Sequence, residues 1–491
     1  MASVHPQAPT GNSRTAAAAD PWRWAGLLSV VALGAAAAAI GWTGYIASDD
    51  ASYYGGAAEW LRSAPFAGDS HWTTRFPLIL SLAAAMLIVG VGPAALTVTS
   101  LFWFIAFVAT GAGLATRIGG RKVGWLTAVL LATLPLSAVA ASVVNCDLPE
   151  ATFLMLGLWW LAGVVGQDGQ ERSAAAAGIC FGLAVLCRET AVLALAGFAP
   201  LFLLGRPLPR RILMVAAAGA AVVLALEMLF QFALTGDPLH RYMLAFNHSD
   251  TLSRAANLEG NLLLHPLIDP LLVLLVNNEF GLLFWVMALA LATGAVRGLG
   301  PRRKNALILC IALGLASALL IALLSAKLVL NPRYFTITTV AAAIIAALWL
   351  SRLKMPLAAL VLTGMVGLNL LLLSAQNNNP QWPAYALVEA ALDHPGQMVA
   401  ADEELIRRAE LPLGWSRVDN VVPAGAPASL RLIEQSADAP PAIAFYPSPP
   451  TPLGSLLRRL GLSDSLPAAA ETRLMNLNPT MIVVEAPAAP K

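Results

Sequence analysis

The sequence predicts an all-α polytopic membrane protein of about 11–12 membrane helices, with a small extracytoplasmic α+β domain at its C-terminal end. Hydrophobic residues make up 58% of the 491 residues and charged residues only 12%, and the mean hydropathy is +0.70. Apolar runs of about 20 residues, long enough to cross a bilayer, recur along the chain. The composition changes near residue 376, where proline pairs and short β-like runs begin.

These patterns divide the chain into three parts. Residues 1–22 are polar and alanine-rich and are predicted to be a disordered cytoplasmic N-terminus. Residues 23–375 form the transmembrane domain, and residues 376–491 the extracytoplasmic domain. The first apolar run, about Ala25–Ile46, is longer than a signal-peptide core and is followed by further runs, so it is predicted to be an uncleaved anchor.

The last part of the chain has mixed signals. A helix is predicted near Asp402–Glu410, and short strands are predicted at Ala442–Tyr446 and Met481–Glu485. The pairs Pro440-Pro441 and Pro449-Pro450 mark loops between them. This combination is typical of a small α+β unit.

The basic residues predict the orientation of the membrane part, because Lys and Arg near span ends favour the cytoplasm. Five basic clusters fit one face, and eleven crossings then place the N-terminus inside and the C-terminus outside a bacterial cytoplasmic membrane. The predicted spans are 25–46, 95–116, 123–142, 150–166, 174–187, 190–204, 212–234, 279–296, 305–326, 335–351 and 355–375. The net charge of +2 is too small to indicate nucleic acid as a partner.

Residues 77–92 do not fit this scheme, since they are apolar but short. If they crossed fully, every later basic cluster would move to the outer face. They are therefore predicted to lie in, or dip into, the outer interface. A true span with a weak positive-inside signal is the alternative.

Two adjacent acids, Asp49 and Asp50, stand where the first span meets the outer side. As plain structure, they would cap the helix that follows and complement its dipole. As functional groups, they could act in general acid/base chemistry, because burial and a like charge both raise the pKa of a carboxyl group.

A second acidic loop on the same side carries Asp147 and Glu150. Asp147 could simply cap the helix that begins near Pro149. Alternatively, acids from the two loops, together with Glu189, could orient an acceptor or share a divalent cation. No fixed ligand spacing supports the metal interpretation.

Cations interrupt the apolar pattern at two later places, also predicted to be outside. Arg188 and Glu189 lie between two apolar stretches, either as a self-satisfied pair or with Arg188 facing a cavity and binding phosphate. Lys327 and Arg333 oppose the positive-inside trend. They either snorkel to the interface or bind an anionic lipid head group.

This order of motifs resembles the GT-C membrane glycosyltransferases. Within them it resembles the family-39-like branch of protein O-mannosyltransferases and the lipid A aminoarabinose transferase. The resemblance covers roughly residues 20–375. It rests on these segments: Asp49-Asp50-Ala51-x-Tyr53 with Ala58-Glu59-Trp60-Leu61, His71–Pro77, Asn145–Pro149, Gly182–Glu189, Thr235–Pro238 and Pro332-Arg333-Tyr334.

The resemblance implies an inverting transfer of a sugar from a polyprenyl-phosphate donor to an acceptor hydroxyl outside the cytoplasmic membrane. Asp49 would be the general base, and Arg188, Lys327 and Arg333 would hold the phosphate. Asp50 stands where the protein mannosyltransferases have Glu. The partners implied are the lipid-linked sugar, membrane lipid and an acceptor glycan, lipid or protein. Metal dependence differs within the family, so a divalent cation stays open.

Two other functions are compatible with the sequence. Many spans and intramembrane charges such as Arg188 and Glu227 would suit a transporter or lipid flippase, although the charges gather on one side. A catalytically inert scaffold that binds a partner through residues 377–491 is the third possibility.

Overall fold

A computed structural model of the chain describes residues 21–167, 170–246, 263–265, 267–324 and 330–486, with side chains from residue 26 onward. Lys327 lies outside the described residues, and so does the N-terminal segment up to residue 20.

Helices dominate the membrane part. Between them lie 3₁₀ turns at Asn278–Phe280 and Pro332–Phe335. The helices are α1 (Pro21–Ile40), α2 (Asp49–Ser63), α3 (Phe76–Val89), α4 (Pro93–Gly119), α5 (Arg121–Thr133), α6 (Pro135–Ala140), α7 (Asp147–Val164), α8 (Glu171–Cys187), α9 (Ala191–Leu195), α10 (Phe198–Leu204), α11 (Arg210–Thr235), α12 (His240–Phe246), α13 (Asp269–Val276), α14 (Leu283–Ala292), α15 (Pro301–Leu324), α16 (Thr336–Leu350) and α17 (Met355–Ser374).

Among the described residues, five helices are long and apolar enough to cross a membrane: α4, α11, α15, α16 with its preceding 3₁₀ turn, and α17. Shorter apolar helices lie at Gly26–Ile40, Phe76–Val89, Ala191–Leu204 and Leu283–Ala292. The chain is therefore a multi-pass membrane protein. The total of eleven crossings stays a prediction, and so does the interfacial placement of α3.

The structure divides or shortens four predicted spans, of which 25–46 is helical only as far as Ile40. The predicted helix 123–142 is broken at Leu134, whose backbone is extended (φ −62°, ψ 128°). Pro135 is the cause, because the residue before proline avoids the helical region while proline itself suits a first helical turn. The stretch 190–204 consists of the two short helices α9 and α10, and the predicted span 279–296 is helical only from Leu283 to Ala292.

Small residues bring neighbouring helices close together. A Cβ atom on Gly178 of α8 would collide with the carbonyl oxygen of Ala216 in α11. Gly219 faces back, where a Cβ atom would lie 2.5 Å from the carbonyl oxygen of Ala175. Such contacts let membrane helices pack backbone to backbone, since lipid offers no hydrophobic drive for association.

The C-terminal domain is α+β, as predicted. Its helices are α18 (Trp382–Asp393), α19 (Glu403–Ser416), α20 (Pro452–Arg459) and α21 (Ala468–Met475). Its strands are β1 (Val399–Ala401), β2 (Val421–Pro423), β3 (Leu430–Glu434), β4 (Ala444–Tyr446) and β5 (Met481–Glu485). They form one sheet in the order β2-β1-β3-β5-β4. The β1–β2 and β1–β3 pairs are parallel and the other two antiparallel.

The C-terminal domain rests on the first loop of the membrane part. Trp415 of α19 donates a hydrogen bond to the hydroxyl of Tyr54 in α2 (3.0 Å). The Asn378 side chain donates to the carbonyl oxygen of Ile40 at the end of α1 (2.6 Å). These contacts hold the loop that carries Asp49 and Asp50 between the two parts.

Candidate functional site

Asp50 organises the turn that enters α2. Its carboxylate accepts the backbone N–H groups of Ile46 (2.7 Å), Ser48 (2.8 Å) and Ala51 (3.1 Å), and the residue is 1% exposed. Burial raises the pKa of Asp50 to about 6, although these three hydrogen bonds oppose the rise. Asp50 therefore points into the protein and not into a site.

Asp49 points the other way and meets two donors. The indole N–H of Trp72 donates to Oδ1 (2.9 Å), and Arg333 lies 3.2 Å from Oδ2. Burial by itself raises the pKa of Asp49, but the charges of Arg333 and Arg75 outweigh it, so the pKa lies below its ordinary value. Asp49 is thus an ionised carboxylate held in a fixed orientation.

Asp147 and Arg188 form a buried ion pair. Their side chains are 5% and 8% exposed, and the nitrogen–oxygen distance is 2.5 Å. The expected capping role belongs to Asn145, whose side-chain oxygen accepts the N–H groups of Asp147 and Leu148 (3.1 and 3.3 Å). The Arg188 guanidinium also lies 4.0 Å from the ring centre of Tyr334, a cation–π contact.

Arg333 completes the same pocket from the 3₁₀ turn Pro332–Phe335. The side chain of Asn331 fixes the turn by accepting the backbone N–H of Arg333 (3.1 Å). The pocket, of about 380 Å³ including open space, is lined by Asp147, Glu150, Arg188 and Arg333 among others. Nε of Arg333 and Oδ2 of Asp147 are buried without a protein partner. The pocket therefore contains two guanidinium groups and two buried polar atoms that a ligand could still bind by hydrogen bonds.

Glu189 does not pair with Arg188, so the self-satisfied pair considered from the sequence does not form. Its carboxylate instead accepts two hydrogen bonds from Arg241 (3.0 and 2.7 Å). Arg241 is fully buried and also donates to the carbonyl oxygen of Val185 (2.8 Å). Glu189, like Asp49 and Asp147, therefore pairs with an arginine that is distant in the sequence.

Arg75 is a site residue that the residue-by-residue analysis missed. It is 7% exposed, donates to the hydroxyl of Tyr53, and lies 3.3 Å from Sγ of Cys146. It links the first loop to the second acidic loop and lowers the pKa of Asp49. Its position on the predicted outer side, against the positive-inside trend, is the signal that could have identified it.

The acids do not converge on a common point that would suit a divalent cation. Within the described part of the chain, no group of three His, Cys, Asp or Glu side chains could hold a metal ion. Asp49, Asp147 and Glu189 each face a guanidinium group. This donor set does not fit a divalent cation.

Comparison with known proteins places this geometry in context. The family described as dolichyl-phosphate-mannose-protein mannosyltransferase matches residues 68–232. These residues include Trp72, Arg75, Asp147 and Arg188. No curated protein matches the chain significantly.

Solved structures match over most of the chain. ArnT from Cupriavidus metallidurans in the apo state is similar with a TM-score of 0.59 and 13% identity, over 96% of this chain and 100% of that one. The same protein bound to undecaprenyl phosphate gives 0.61 and 13%, over 95% and 98%. The oligosaccharyltransferase of Archaeoglobus fulgidus, tethered with an acceptor peptide, gives 0.54 and 15%, over 82% and 64%.

These findings confirm the predicted GT-C fold, with its helical membrane part and its small C-terminal sheet domain. They also confirm the predicted resemblance to GT-C membrane glycosyltransferases, and the matching family is described as a mannosyltransferase, which is the predicted class of enzyme. The structures match at identities of 13–15%, which supports a common fold. The roles of individual residues are inferred from the geometry of the site.

Proposed function

Because its fold is that of the GT-C glycosyltransferases, we propose that this chain transfers a sugar from a polyprenyl-phosphate donor to an acceptor hydroxyl. The reaction takes place on the outer face of the bacterial cytoplasmic membrane, with the N-terminus inside and the C-terminal domain outside. It inverts the anomeric carbon in a single displacement. The observation that carries the proposal is Arg333, which touches the candidate base Asp49 and also lines the cationic pocket.

The phosphate of the donor is assigned to the pocket of Arg188 and Arg333. Planar guanidinium groups suit phosphate oxygens, because they can offer two parallel N–H donors. Asp147 and Tyr334 fix the plane of Arg188, which leaves little conformational freedom to lose when phosphate binds. Lys327, which follows α15 in the chain, is proposed as a third cation. The ArnT structure that holds undecaprenyl phosphate supports a polyprenyl phosphate as the ligand.

Asp49 is proposed as the general base. The acceptor O–H gives its proton to the carboxylate as the acceptor oxygen attacks the anomeric carbon. The bond from that carbon to the phosphate oxygen breaks, and its electron pair stays on the polyprenyl phosphate. Arg188 and Arg333 stabilise the negative charge that develops there, which is the term that usually contributes most to catalysis.

The other acids take supporting roles in this proposal. Asp50 is a positioning residue, because its three backbone hydrogen bonds shape the turn that presents Asp49. Asp147 orients Arg188, and Glu189 orients the buried Arg241. Glu150 lines the pocket and is proposed to orient the acceptor.

The test is sugar transfer from a radiolabelled polyprenyl-phosphate-sugar pool in membranes that carry wild type or Asp49→Asn. We expect the variant to lose about 100-fold or more of the rate, since amide nitrogen and oxygen cannot accept the proton. Glu59→Gln is the matched control, because Glu59 lies on the same helix and its side-chain partners are its exposed neighbours Arg62 and Ser63. Undiminished transfer by well-expressed Asp49→Asn would refute the assignment. Substrate movement across proteoliposomes without any glycosylated product would favour a transporter.

A further inference from the structure

A second cleft lies between the membrane part and the C-terminal domain, next to the first loop. It encloses about 900 Å³ including its open mouth. Aromatic rings from three separate segments line it: Trp42, Tyr45, Trp382, Tyr385 and Trp415. These rings come from the loop after α1 and from the helices α18 and α19, so the fold brings together aromatic residues that are far apart in the sequence.

Interfacial anchoring is the ordinary explanation for Trp and Tyr near a membrane surface. It does not suit the set as a whole, because only Trp42 is exposed, and the other four rings are buried or half-buried in the protein. Trp382 is 8% exposed and donates to the carbonyl oxygen of Tyr446 (3.0 Å). Trp415 meets the rings of Tyr45 and Tyr54 edge to face, with centroids 5.4 and 5.6 Å apart. The lining is therefore a fixed surface and not a set of lipid anchors.

The loop after α1, which forms the wall of the cleft on the membrane side, is also held in place by hydrogen bonds. The hydroxyl of Ser142 accepts the backbone N–H groups of Thr43 (2.9 Å) and Gly44 (3.2 Å). The Asn378 bond to the carbonyl oxygen of Ile40 ties the far wall to the end of α1. The cleft is thus preformed, and a ligand would not have to order it on binding.

The polar groups of the cleft decide which ligand it suits. Glu389, Asn379 and Thr97 stand beside the aromatic faces. Among the described residues, the lining contains no Lys or Arg, so a phosphate or an anionic lipid head group would find no counter-charge there. A sugar ring matches both features. Its C–H bonds can pack on the negative face of an aromatic ring, and its hydroxyl groups can bond to carboxylate and amide oxygens.

We propose that this aromatic cleft binds a sugar residue of a glycan acceptor. The role as an acceptor site rests on the function proposed above, whereas saccharide binding can be tested without it. Tyr45 precedes Asp49 by four residues, so their Cα atoms are at most about 15 Å apart. A glycan of a few sugar residues has a comparable length.

The experiment uses the full-length protein in lipid nanodiscs and saturation-transfer NMR with maltotriose, mannotriose and chitotriose, each tested separately. The test variant is Trp42→Ala, because Trp42 is 39% exposed and its loss leaves the buried rings in place. The control is Trp160→Ala, a Trp of similar exposure (36%) on α7, outside the cleft. We expect at least one trisaccharide to bind wild type and the control equally, and to bind Trp42→Ala about tenfold more weakly.

A second variant, Glu389→Gln, keeps the shape of the cleft and removes the charge. It should weaken binding of the same trisaccharide several-fold, as expected for loss of a charge-assisted acceptor. Equal binding by wild type and Trp42→Ala would overturn the proposal, and so would the absence of a signal for all three sugars. Binding of anionic lipid in place of sugar would also overturn it.

The proposed glycosyltransferase function is tested separately, by measuring sugar transfer and saccharide binding with Asp49→Asn. This variant should keep saccharide binding and lose transfer. If Asp49→Asn loses transfer but wild type binds none of the sugars, the glycosyltransferase proposal stands and the cleft is not its acceptor site. If wild type binds a sugar in the cleft but transfer does not depend on Asp49, the cleft remains a saccharide site and the proposed role of Asp49 is wrong.

Discussion

Replacement of Arg333 by Gln tests the link between the base and the phosphate pocket. The change removes the cation 3.2 Å from the Asp49 carboxylate and one of the two guanidinium groups of the pocket. We expect a large fall in kcat together with a change in its pH dependence. Arg333→Lys keeps the charge without the planar donors and should recover only part of the activity.

Two effects set the size of the change. A donor that stabilises charge developing in the transition state contributes about 100- to 1,000-fold in kcat, or roughly 3–4 kcal/mol. The second effect acts on Asp49, whose pKa lies below its ordinary value because Arg333 and Arg75 outweigh its burial. Without Arg333 the largest opposing charge is lost, and the pKa of Asp49 rises.

The sign of the pH effect follows from the role of the base. Only the ionised Asp49 can accept a proton, so activity is lost as the pH falls through its pKa. In wild type this loss lies below the ordinary pKa of aspartate, whereas in Arg333→Gln it moves to higher pH. The assay is kcat from pH 4 to 8 with the labelled donor, and Arg62→Gln on the exposed face of α2 is the control. A lower kcat with an unshifted profile would refute the electrostatic link to Asp49.

Two further predictions concern stability and are measured by thermal unfolding in detergent. Asp147→Asn should destabilise the protein by about 3–5 kcal/mol, because it leaves the buried guanidinium of Arg188 without a counter-charge; a melting temperature within a degree of wild type would contradict this. Gly178→Val should lower the melting temperature strongly, because its side chain would enter the backbone of α11 at Ala216. Gly55→Val, at an open position on α2, is the control, and equal losses in both would argue against close packing of α8 on α11.

Sequence patterns predicted the membrane helices well where hydropathy alone decides the structure. The helices α4, α11, α15 and α17 coincide with predicted spans because each is a long apolar run without an internal breaker. The break at Leu134 and the late start at Leu283 were missed, since one proline or one 3₁₀ turn scarcely changes a hydropathy average. The strands β4 and β5 were found because β-branched and aromatic residues follow proline-rich loops there.

The charged residues of the site were found one by one, but their pairing was not. Arg333 and Asp49 meet across 284 positions of the chain, counted as 333 minus 49, and no local pattern encodes such a contact. A pair between Arg188 and its neighbour Glu189 was one of two possibilities in the sequence, yet each has a partner elsewhere. Partner choice in a low-dielectric interior depends on which helices pack together, and that is a property of the whole fold.

On the proposed mechanism, the shared position of Arg333 has a chemical consequence. Before transfer, Asp49 carries a full negative charge beside the guanidinium. When the acceptor proton moves to Asp49, that charge disappears, and in the same step the breaking bond places negative charge on the phosphate oxygen. The guanidinium can therefore exchange one anionic partner for the other without losing its counter-charge. The negative charge that develops on the phosphate oxygen therefore meets a donor that is already in place, which is how preorganised groups stabilise a transition state.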